Sequence, residues 1–474
     1  MRLYRVQIEN FKSLRNIDIR LSDFNVVIGP NASGKTNFID AFLFLREVYS
    51  NYLGMPSIPP YIKWWGWKNV VWQGKMDLPI RFVLYFYDDI IDCEYVFETV
   101  FTYEAEAFRI YSESLRVLRR DGEEILTFFR EGNAFRLFFN KDYISRVKRE
   151  LEKVLNEIKG SSIEPRLARR VSIIKDIEEY YQNLKVLEDK GLEFIARAKS
   201  IFDFRFMHVL SFRLGNLVLM RISYEHEREV LLPSLKIDLF VKNKEKLEKI
   251  RKIYDGYVPE SLPSYVLSMI EQFFDNITVL KPMDIRGVRE PKLPREEDVL
   301  SEDYSNLVLV LYNMYIREGK LPERISQLME RLFPNTYIGF RALKDGRITL
   351  IVREDDVELD LPSVSDGFLK TLGIATVLSN KKGGMLIIDQ IEDSLHAFTI
   401  ETLIDELRNM DDVTVIITTH SPSVIDLVDP GELIICDKIG HETHLKRVEN
   451  PEKIREELRK MGITLSERWL YGGL

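Results

Sequence analysis

Phe24-Asn-Val-Val-Ile-Gly-Pro-Asn-Ala-Ser-Gly-Lys-Thr36 runs from a short apolar stretch into a loop bounded by glycines. Phe24 to Ile28 reads as a buried strand, and the apolar spacing of FIDAFLFLREVY beyond Asn37 reads as a helix. Between them, Gly29 to Thr36 fits the pattern GxxxxGK[ST], and the strand-loop-helix context makes that match a physical statement. Gly29 and Gly34 let main-chain N–H groups turn inward. The loop positions Asn31, Ala32, Ser33 and Asn37 then line a phosphate cradle at a helix N-terminus. Lys35 is placed to put a cation on the β and γ phosphates of ATP, and the Thr36 hydroxyl to ligate Mg2+.

A phosphate loop of this kind needs an acidic partner at the end of another strand. The apolar run Met385 to Ile388 ends in Asp389, which supplies it. A second apolar run, Val413 to Thr418, leads into Thr419-His420-Ser421 and sets His420 at a strand's C-terminal edge, where α/β sheets collect ligands. Between phosphate loop and Asp389, Ser365-Asp366-Gly367 precedes an amphipathic helix; taken alone it reads as an ordinary N-cap, and in this order of motifs its hydroxyl and N–H groups read as a second anion site. The two ends of the chain are therefore expected to build one α/β sheet with central parallel strands.

Upstream of the loop, Leu3 to Ile8 and Asn16 to Leu21 read as an edge hairpin. Downstream, Ile80 to Phe86, Tyr95 to Tyr103, Phe108 to Leu118, Ile125 to Phe129 and Phe135 to Phe139 are rich in aromatic and β-branched residues, which predicts an antiparallel meander. After Asn140 the pattern changes. Ile144, Val147, Leu151, Val154 and Ile158 recur at heptad spacing, GSSIEP breaks the run, and a second stripe follows from Leu167 to Leu184. This predicts a helical hairpin with arms of about 25 to 40 Å, or a helical subdomain folded onto the body. The predicted division is 1–141 for an N-terminal lobe with loop and meander, 142–200 for the hairpin, 201–300 for a mixed connector with strands at Leu217 to Ile222 and Leu235 to Phe240 and a charged helix at Lys244 to Tyr254, and 301–474 for a C-terminal lobe.

Composition excludes several classes. Of 474 residues 45% are apolar, enough for a globular interior divided into two or three units. No stretch has the length and apolarity of a membrane span and MRLYRVQIEN carries no signal-peptide core, so a cytoplasmic protein is expected. Cys93 and Cys436 are the only cysteines, too few for a disulfide framework or a structural zinc site. The formal charge of -8 argues against a protein that coats nucleic acid with its whole surface and leaves room for a local basic groove.

Taken in order, NFKSLRNIDI, GPNASGKTNFIDAF, SVSDGFLKTL, IIDQIEDSLH and TTHSPSVIDLV resemble the SMC/RecF-like branch of ABC ATPases, and within it the OLD-like ATPases of prokaryotic defence and repair. The resemblance covers both ends of the chain and leaves the middle unsupported. It implies an α/β ABC-type P-loop ATPase head with an antiparallel β subdomain and an inserted helical hairpin or coiled-coil arm. It further implies a homodimer closed around ATP, with Ser365, Asp366 and Gly367 as the signature meeting the γ-phosphate held by the other protomer. Asp389 becomes the Walker B aspartate, Asp393 lies in the D-loop, and His420 is the switch histidine. Lys12 and Ser13 are implied to touch the nucleotide phosphates, and Gln73, in VVWQGK, is a candidate Q-loop residue and metal contact.

One position departs from the family pattern: Gln390 stands where the family places a catalytic Glu. A neutral amide cannot act as general base, so ATP binding is expected to survive while hydrolysis slows by about 10²- to 10⁴-fold. The same exchange is the usual engineered trap for ATP-bound dimers, and the intact neighbouring elements favour that origin over a natural one. Glu392 and Asp393 follow closely, although neither occupies the family's position. No CxxC marks an arm tip, which separates the chain from zinc-hooked repair ATPases. The stretch after His420 is too short for the Toprim nuclease domain of full-length OLD proteins, so an effector nuclease or toxin is expected in trans.

The leading expectation is thus an ATP-dependent dimerising switch or clamp, with further assembly of the dimers left open. A DNA-binding repair or chromosome factor acting without an effector is the rival. Arg166, Arg169, Arg170 and Lys175 would serve that rival as a basic stripe, or form an ordinary solvated helix face. Trp64, Trp65, Trp67 and Trp72, beside Lys63 and Lys68, either pack beneath the sheet or stack on unpaired bases. The energy-coupling subunit of a membrane transporter fits poorly, because Thr36 and Ser365 stand too far apart.

Overall fold

A computed structural model of the chain describes residues 1–53, 58–132, 134–140, 145, 149, 196–197, 200–202, 208–214, 217–224, 228–234 and 262–472. These gather into two bodies, one of Met1–Lys12 with Val48–Gln272 and one of Ser13–Glu47 with Phe273–Leu474. This grouping differs from the four-part division read from the sequence, because the phosphate-loop segment belongs with the C-terminal half. The predicted hairpin of 142–200, its basic stripe, the Leu235 to Phe240 strand and the helix at Lys244 to Tyr254 lie outside the described residues, apart from isolated positions.

The chain opens with β1 (Arg2–Phe11), β2 (Leu14–Arg20), β3 (Phe24–Ile28) and α1 (Lys35–Arg46). Then come β4 (Ile80–Asp88), β5 (Cys93–Glu104), β6 (Ala107–Arg119), β7 (Glu124–Glu131), β8 (Ala134–Phe139) and β9 (Ala196–Arg197). In the first body these pair antiparallel in the order β1-β4-β5-β6-β7-β8-β9, the predicted meander with β1 added at its edge. Apolar burial explains the arrangement: the alternating Ile80, Phe82, Leu84 and Phe86 on β4, and Leu3, Val6, Ile8 and Phe11 on β1, which shifts register between Leu3 and Arg5, are all fully buried. That core also encloses an ion pair, Arg130 Nε donating to Glu113 at 2.6 Å, with Tyr49, Ser200 and the Ile201 N–H completing the carboxylate's bonds. A separate antiparallel sheet, β10 (His208–Leu214), β11 (Leu217–Tyr224) and β12 (Arg228–Ser234), contains the Leu217 strand and two strands that were not anticipated.

From α2 (Leu262–Asp275) the chain continues through β13 (Ile277–Leu280), α3 (Ile285–Arg289), α4 (Leu307–Glu318) and α5 (Glu323–Leu332). A small antiparallel sheet follows, β14 (Thr336–Ala342), β15 (Ile348–Glu354) and β16 (Val357–Asp360), and then α6 (Asp366–Asn380). The remainder is β17 (Met385–Ile388), α7 (Ala397–Arg408), β18 (Thr414–Thr419), α8 (Pro422–Ile425), β19 (Leu433–Ile439), β20 (Glu442–Arg447), α9 (Pro451–Met461) and α10 (Leu465–Leu470).

The sheet of the second body runs β13-β17-β18-β3-β19-β20. Its first five strands are parallel and only β20 is antiparallel. Every residue of β3, β17 and β18 is buried, as strands covered on both faces require. N- and C-terminal segments thus interleave in one sheet, as expected. The order also puts β18 between the phosphate-loop strand and the strand of Asp389, and all three end on the same edge.

Candidate functional site

The phosphate loop after β3 is braced by β20. The Thr443 main chain donates to Ser13 O at 2.9 Å, and its hydroxyl donates to Ser33 O at 2.9 Å while sharing a 2.7 Å bond with the Ser13 hydroxyl. Asn37 Nδ2 donates to the same Ser13 hydroxyl at 2.6 Å. This close approach is why Gly34 must be glycine: its φ is +112°, and a Cβ there would lie 2.0 Å from Thr443 Oγ1. Lys35 Nζ donates to Gly29 O and Pro30 O at 2.8 and 2.9 Å, committing two of its three protons to the loop. Burial pulls the Lys35 pKa down, opposed by charge at Cys436, Asp389 and Glu392.

Asp389, 4% exposed, is held by two threonines. Thr418, on the intervening strand, donates to its Oδ1 at 2.5 Å, and the Thr36 hydroxyl stands 3.4 Å from its Oδ2. Burial pushes the Asp389 carboxyl up, while the Thr418 bond and the Lys281 ammonium oppose the shift. Lys281 in turn donates to Asp40 of α1 at 3.0 Å, fixing the helix behind the loop to the end of β13.

The chain turns sharply after Asp389. Gln390 adopts a left-handed backbone (φ +52°), a conformation that costs a non-glycine residue about 1 kcal/mol or more and marks a functional turn. Three bonds hold it there: Gln390 N to Thr418 Oγ1 at 2.9 Å, Lys370 Nζ to Gln390 O at 2.8 Å, and Asp393 N to Gln390 O at 3.2 Å. Lys370 also donates to Asp393 O at 3.0 Å, so a single ammonium from α6 ties both ends of the turn. Burial brings the Lys370 pKa down to about 8 despite Asp393, Glu392 and Asp389 nearby. At the head of α6, Ser365 caps the helix by accepting from Phe368 N at 3.2 Å, and Arg289 fixes Asp366 at 2.7 Å. Gly367 abuts the same turn, since a Cβ there would meet Ser394 O at 2.5 Å.

His420 follows β18 and faces Glu392. Glu392 Oε1 accepts from the His420 main-chain N–H at 2.9 Å and lies 3.0 Å from its ring Nδ1. The other carboxylate oxygen, Oε2, is buried and has no hydrogen-bond partner among the described residues. The second body therefore brings together Ser13, Gly29, Gly34, Lys35, Thr36, Asn37, Asp389, Gln390, Asp393 and His420, with Ser365, Asp366 and Gly367 at the head of the helix that braces them. Asn31 and Ala32 stand exposed at the loop's crest, Ala32 with φ +63°, while Ser33 is buried and donates to Cys436 Sγ at 3.3 Å.

Lys12 and Gln73 belong to the first body. Lys12 Nζ sits 5.6 Å from the centre of the Trp64 ring, and Gln73 is exposed with φ +51°. The tryptophans divide between the two readings: Trp67 and Trp72 are buried in the first body's core, whereas Trp65 is 93% exposed. Sequence reasoning missed Lys370, Thr418 and Thr443. Lys370 and Thr418 lie inside the quoted motifs but act through main-chain and carboxylate contacts that no spacing rule encodes, and β20, a mostly polar ETHLKR, has no apolar run to announce Thr443.

These residues fit a magnesium nucleotide. The donor set is one hydroxyl and one carboxylate, suited to a hard cation that takes its remaining ligands from phosphates and water. Accordingly, no cluster of three or more His, Cys, Asp or Glu able to hold a metal alone occurs among the described residues. Thr36 and Asp389 would hold the ion, and Lys35 and the loop N–H groups the phosphates. No helix among the described residues is long and apolar enough to cross a membrane.

Comparison with known proteins agrees with this geometry. Residues 1–190 match a family model described as "AAA ATPase domain", and residues 262–426 match one described as "AAA domain, putative AbiEii toxin, Type IV TA system". The chain is 36% identical over 77 residues to Structural maintenance of chromosomes protein 1 of Schizosaccharomyces pombe, covering 16% of this chain and 6% of that protein. It is 48% identical over 46 residues to the DNA replication and repair protein RecF of Haemophilus ducreyi, covering 10% of this chain and 13% of that one. The matched segments thus span only a small part of these relatives. Among solved structures, the SMC head domain from Thermotoga maritima aligns over 95% of this chain and 100% of its own at 13% identity and a TM-score of 0.37. An SMC head bound to the C-winged helix domain of ScpA aligns over 94% and 98% at 11% identity and a TM-score of 0.38. Phosphate loop, buried Asp389 and parallel sheet define a P-loop ATPase. The ATPase-domain matches and the short matches to SMC and RecF proteins support an SMC/RecF-like ABC ATPase.

Proposed function

We propose that two copies of this chain close head to head around Mg-ATP and that the closed dimer acts as a switch or clamp for an effector nuclease or toxin in defence or DNA repair, as in OLD-like ATPases. The observation that carries the nucleotide site is the convergence of Thr36 and Asp389 to 3.4 Å from positions 353 residues apart, beside a buried Lys35. Bound Mg2+ supplies charge neutralisation at the phosphates. The protein supplies the loop N–H groups, Lys35, and a turn after Asp389 locked by Thr418 and Lys370. Gln390, in the family's base position, slows hydrolysis relative to binding, which prolongs the closed state.

The test is mass photometry with and without Mg-ATP, beside Lys35→Ala and Ser365→Arg. The native chain should double in mass with Mg-ATP. Lys35→Ala should fail because it no longer holds nucleotide, whereas Ser365→Arg should bind nucleotide and remain monomeric. A native chain that stays monomeric at saturating Mg-ATP refutes the dimer.

A further inference from the structure

Glu392 is half-buried near the phosphate-loop lysine, yet the contacts described above use only one of its two oxygens. Its side chain is 11% exposed and Oε1 is held by the main-chain N–H and the ring Nδ1 of His420, while Oε2 is buried without a hydrogen-bond partner among the described residues. A carboxylate oxygen left unbonded in the interior loses on the order of 1 to 3 kcal/mol, so such a group calls for a reason. Glu392 also contributes to the field at Lys35 and at Lys370, which places its charge in the neighbourhood of the phosphate-binding lysine. Gln390 is the nearest competitor for the role of base, and an amide accepts no proton at neutral pH.

We propose that Glu392, positioned by His420, is the general base of this ATPase. The reading rests on the nucleotide site described above. As the oxygen of the attacking water forms its bond to the γ-phosphorus, Glu392 Oε2 takes a proton from that water. The bond from that phosphorus to the β,γ-bridging oxygen breaks, ADP leaves with the electron pair, and the proton passes from Glu392 to solvent. His420 holds Oε1 through two contacts, which fixes the carboxylate plane and leaves Oε2 as the basic oxygen. Glu392 thereby carries the slow turnover that remains with an amide at position 390, and Gln390 keeps the shape of the turn.

The experiment measures turnover, affinity for a non-hydrolysable ATP analogue, and lifetime of the ATP-bound dimer. It compares the native chain with Glu392→Gln, Gln390→Glu and the double variant. Glu392→Gln should lower kcat by about 10²- to 10⁴-fold, leave analogue affinity within about twofold, and lengthen the dimer lifetime. The double variant should recover turnover, because Gln390→Glu returns a carboxylate to the turn. His420→Gln should lower kcat by less than Glu392→Gln with analogue affinity unchanged. Unaltered kcat in Glu392→Gln overturns the assignment, as does loss of kcat and analogue affinity together, which marks a structural role. A native chain that binds the analogue but turns over only as Gln390→Glu also overturns it. Absence of analogue binding in every variant refutes the nucleotide site itself.

Discussion

Thr418→Val isolates the contact on which the site's geometry most depends. Thr418 is fully buried on β18, donates to Asp389 Oδ1 at 2.5 Å, and accepts from the left-handed Gln390 N–H at 2.9 Å. Valine has nearly the same shape, so the substitution removes two hydrogen bonds with little change in volume. A hydrogen bond to a charged acceptor contributes about 1.5 to 3 kcal/mol, and a buried N–H left unsatisfied costs about 1 to 3 kcal/mol. The two losses share one atom and are not additive, and together they place the destabilisation at about 2 to 4 kcal/mol. Without the Thr418 bond, Asp389 also loses the contact that most opposes its upward pKa shift, which weakens its hold on a cation. Urea unfolding at pH 7, followed by far-UV circular dichroism, should show that loss of stability. Isothermal titration should show a weaker magnesium dependence of nucleotide binding. Stability within 0.5 kcal/mol of the native chain, with unchanged magnesium dependence, would refute the idea that Thr418 locks the turn (half a kcal/mol being about the range of an ordinary surface change).

Lys370→Met tests the buried ammonium through pH. Because the folded pKa is lowered to about 8, the folded chain binds fewer protons than the unfolded chain between about pH 8 and 10.5. Stability attributable to Lys370 therefore rises with pH across that window by about 3 kcal/mol, and the variant should flatten the rise in urea midpoints; an unchanged slope speaks against a charged, buried Lys370. Gly34→Ala forces a Cβ against Thr443 at a positive φ, and strain of about 1 to 3 kcal/mol should weaken ATP binding by about 10- to 100-fold while circular dichroism stays native; full affinity would show that the loop relaxes. In the first body, Glu113→Gln leaves Arg130 buried without its charge partner and should cost about 3 to 5 kcal/mol in urea unfolding, whereas a loss under 1 kcal/mol would mean that the ion pair is solvated.

Much of this site was legible because its chemistry is written in contiguous residues. A loop that cradles phosphates must place glycines, a lysine and a hydroxyl at fixed spacing, and a buried parallel strand ending in an acid is a short apolar run. That the two ends of the chain share one sheet also followed from motif order, whereas the pairing of β3 with β18 and β19 did not. The grouping of the bodies did not follow. A sequence shows where composition changes, at Asn140, but not that residues 13–47 leave the meander for strands of the C-terminal half. Main-chain acceptors were equally invisible, because nothing in the pattern tells that Lys370 points at the carbonyls of Gln390 and Asp393 and not at a phosphate.

That hidden bond gives α6 a mechanical role. Ser365 and Lys370 are five residues apart on α6, about 7 Å along its axis. The head of this rigid element carries Ser365, and Lys370, little more than one turn further on, grips the turn that carries Gln390 and Glu392. Gly367 touches Ser394 of the same turn, so α6 and the turn meet at two points. A displacement of the helix head cannot be absorbed by side-chain rearrangement alone, because Lys370 bonds to main-chain carbonyls and Gly367 has no side chain to rotate. An event at Ser365 is therefore transmitted to the geometry of the residues after Asp389. In a dimer that binds its partner's nucleotide through Ser365, each site would sense closure of the other through Lys370 and the Gly367–Ser394 contact.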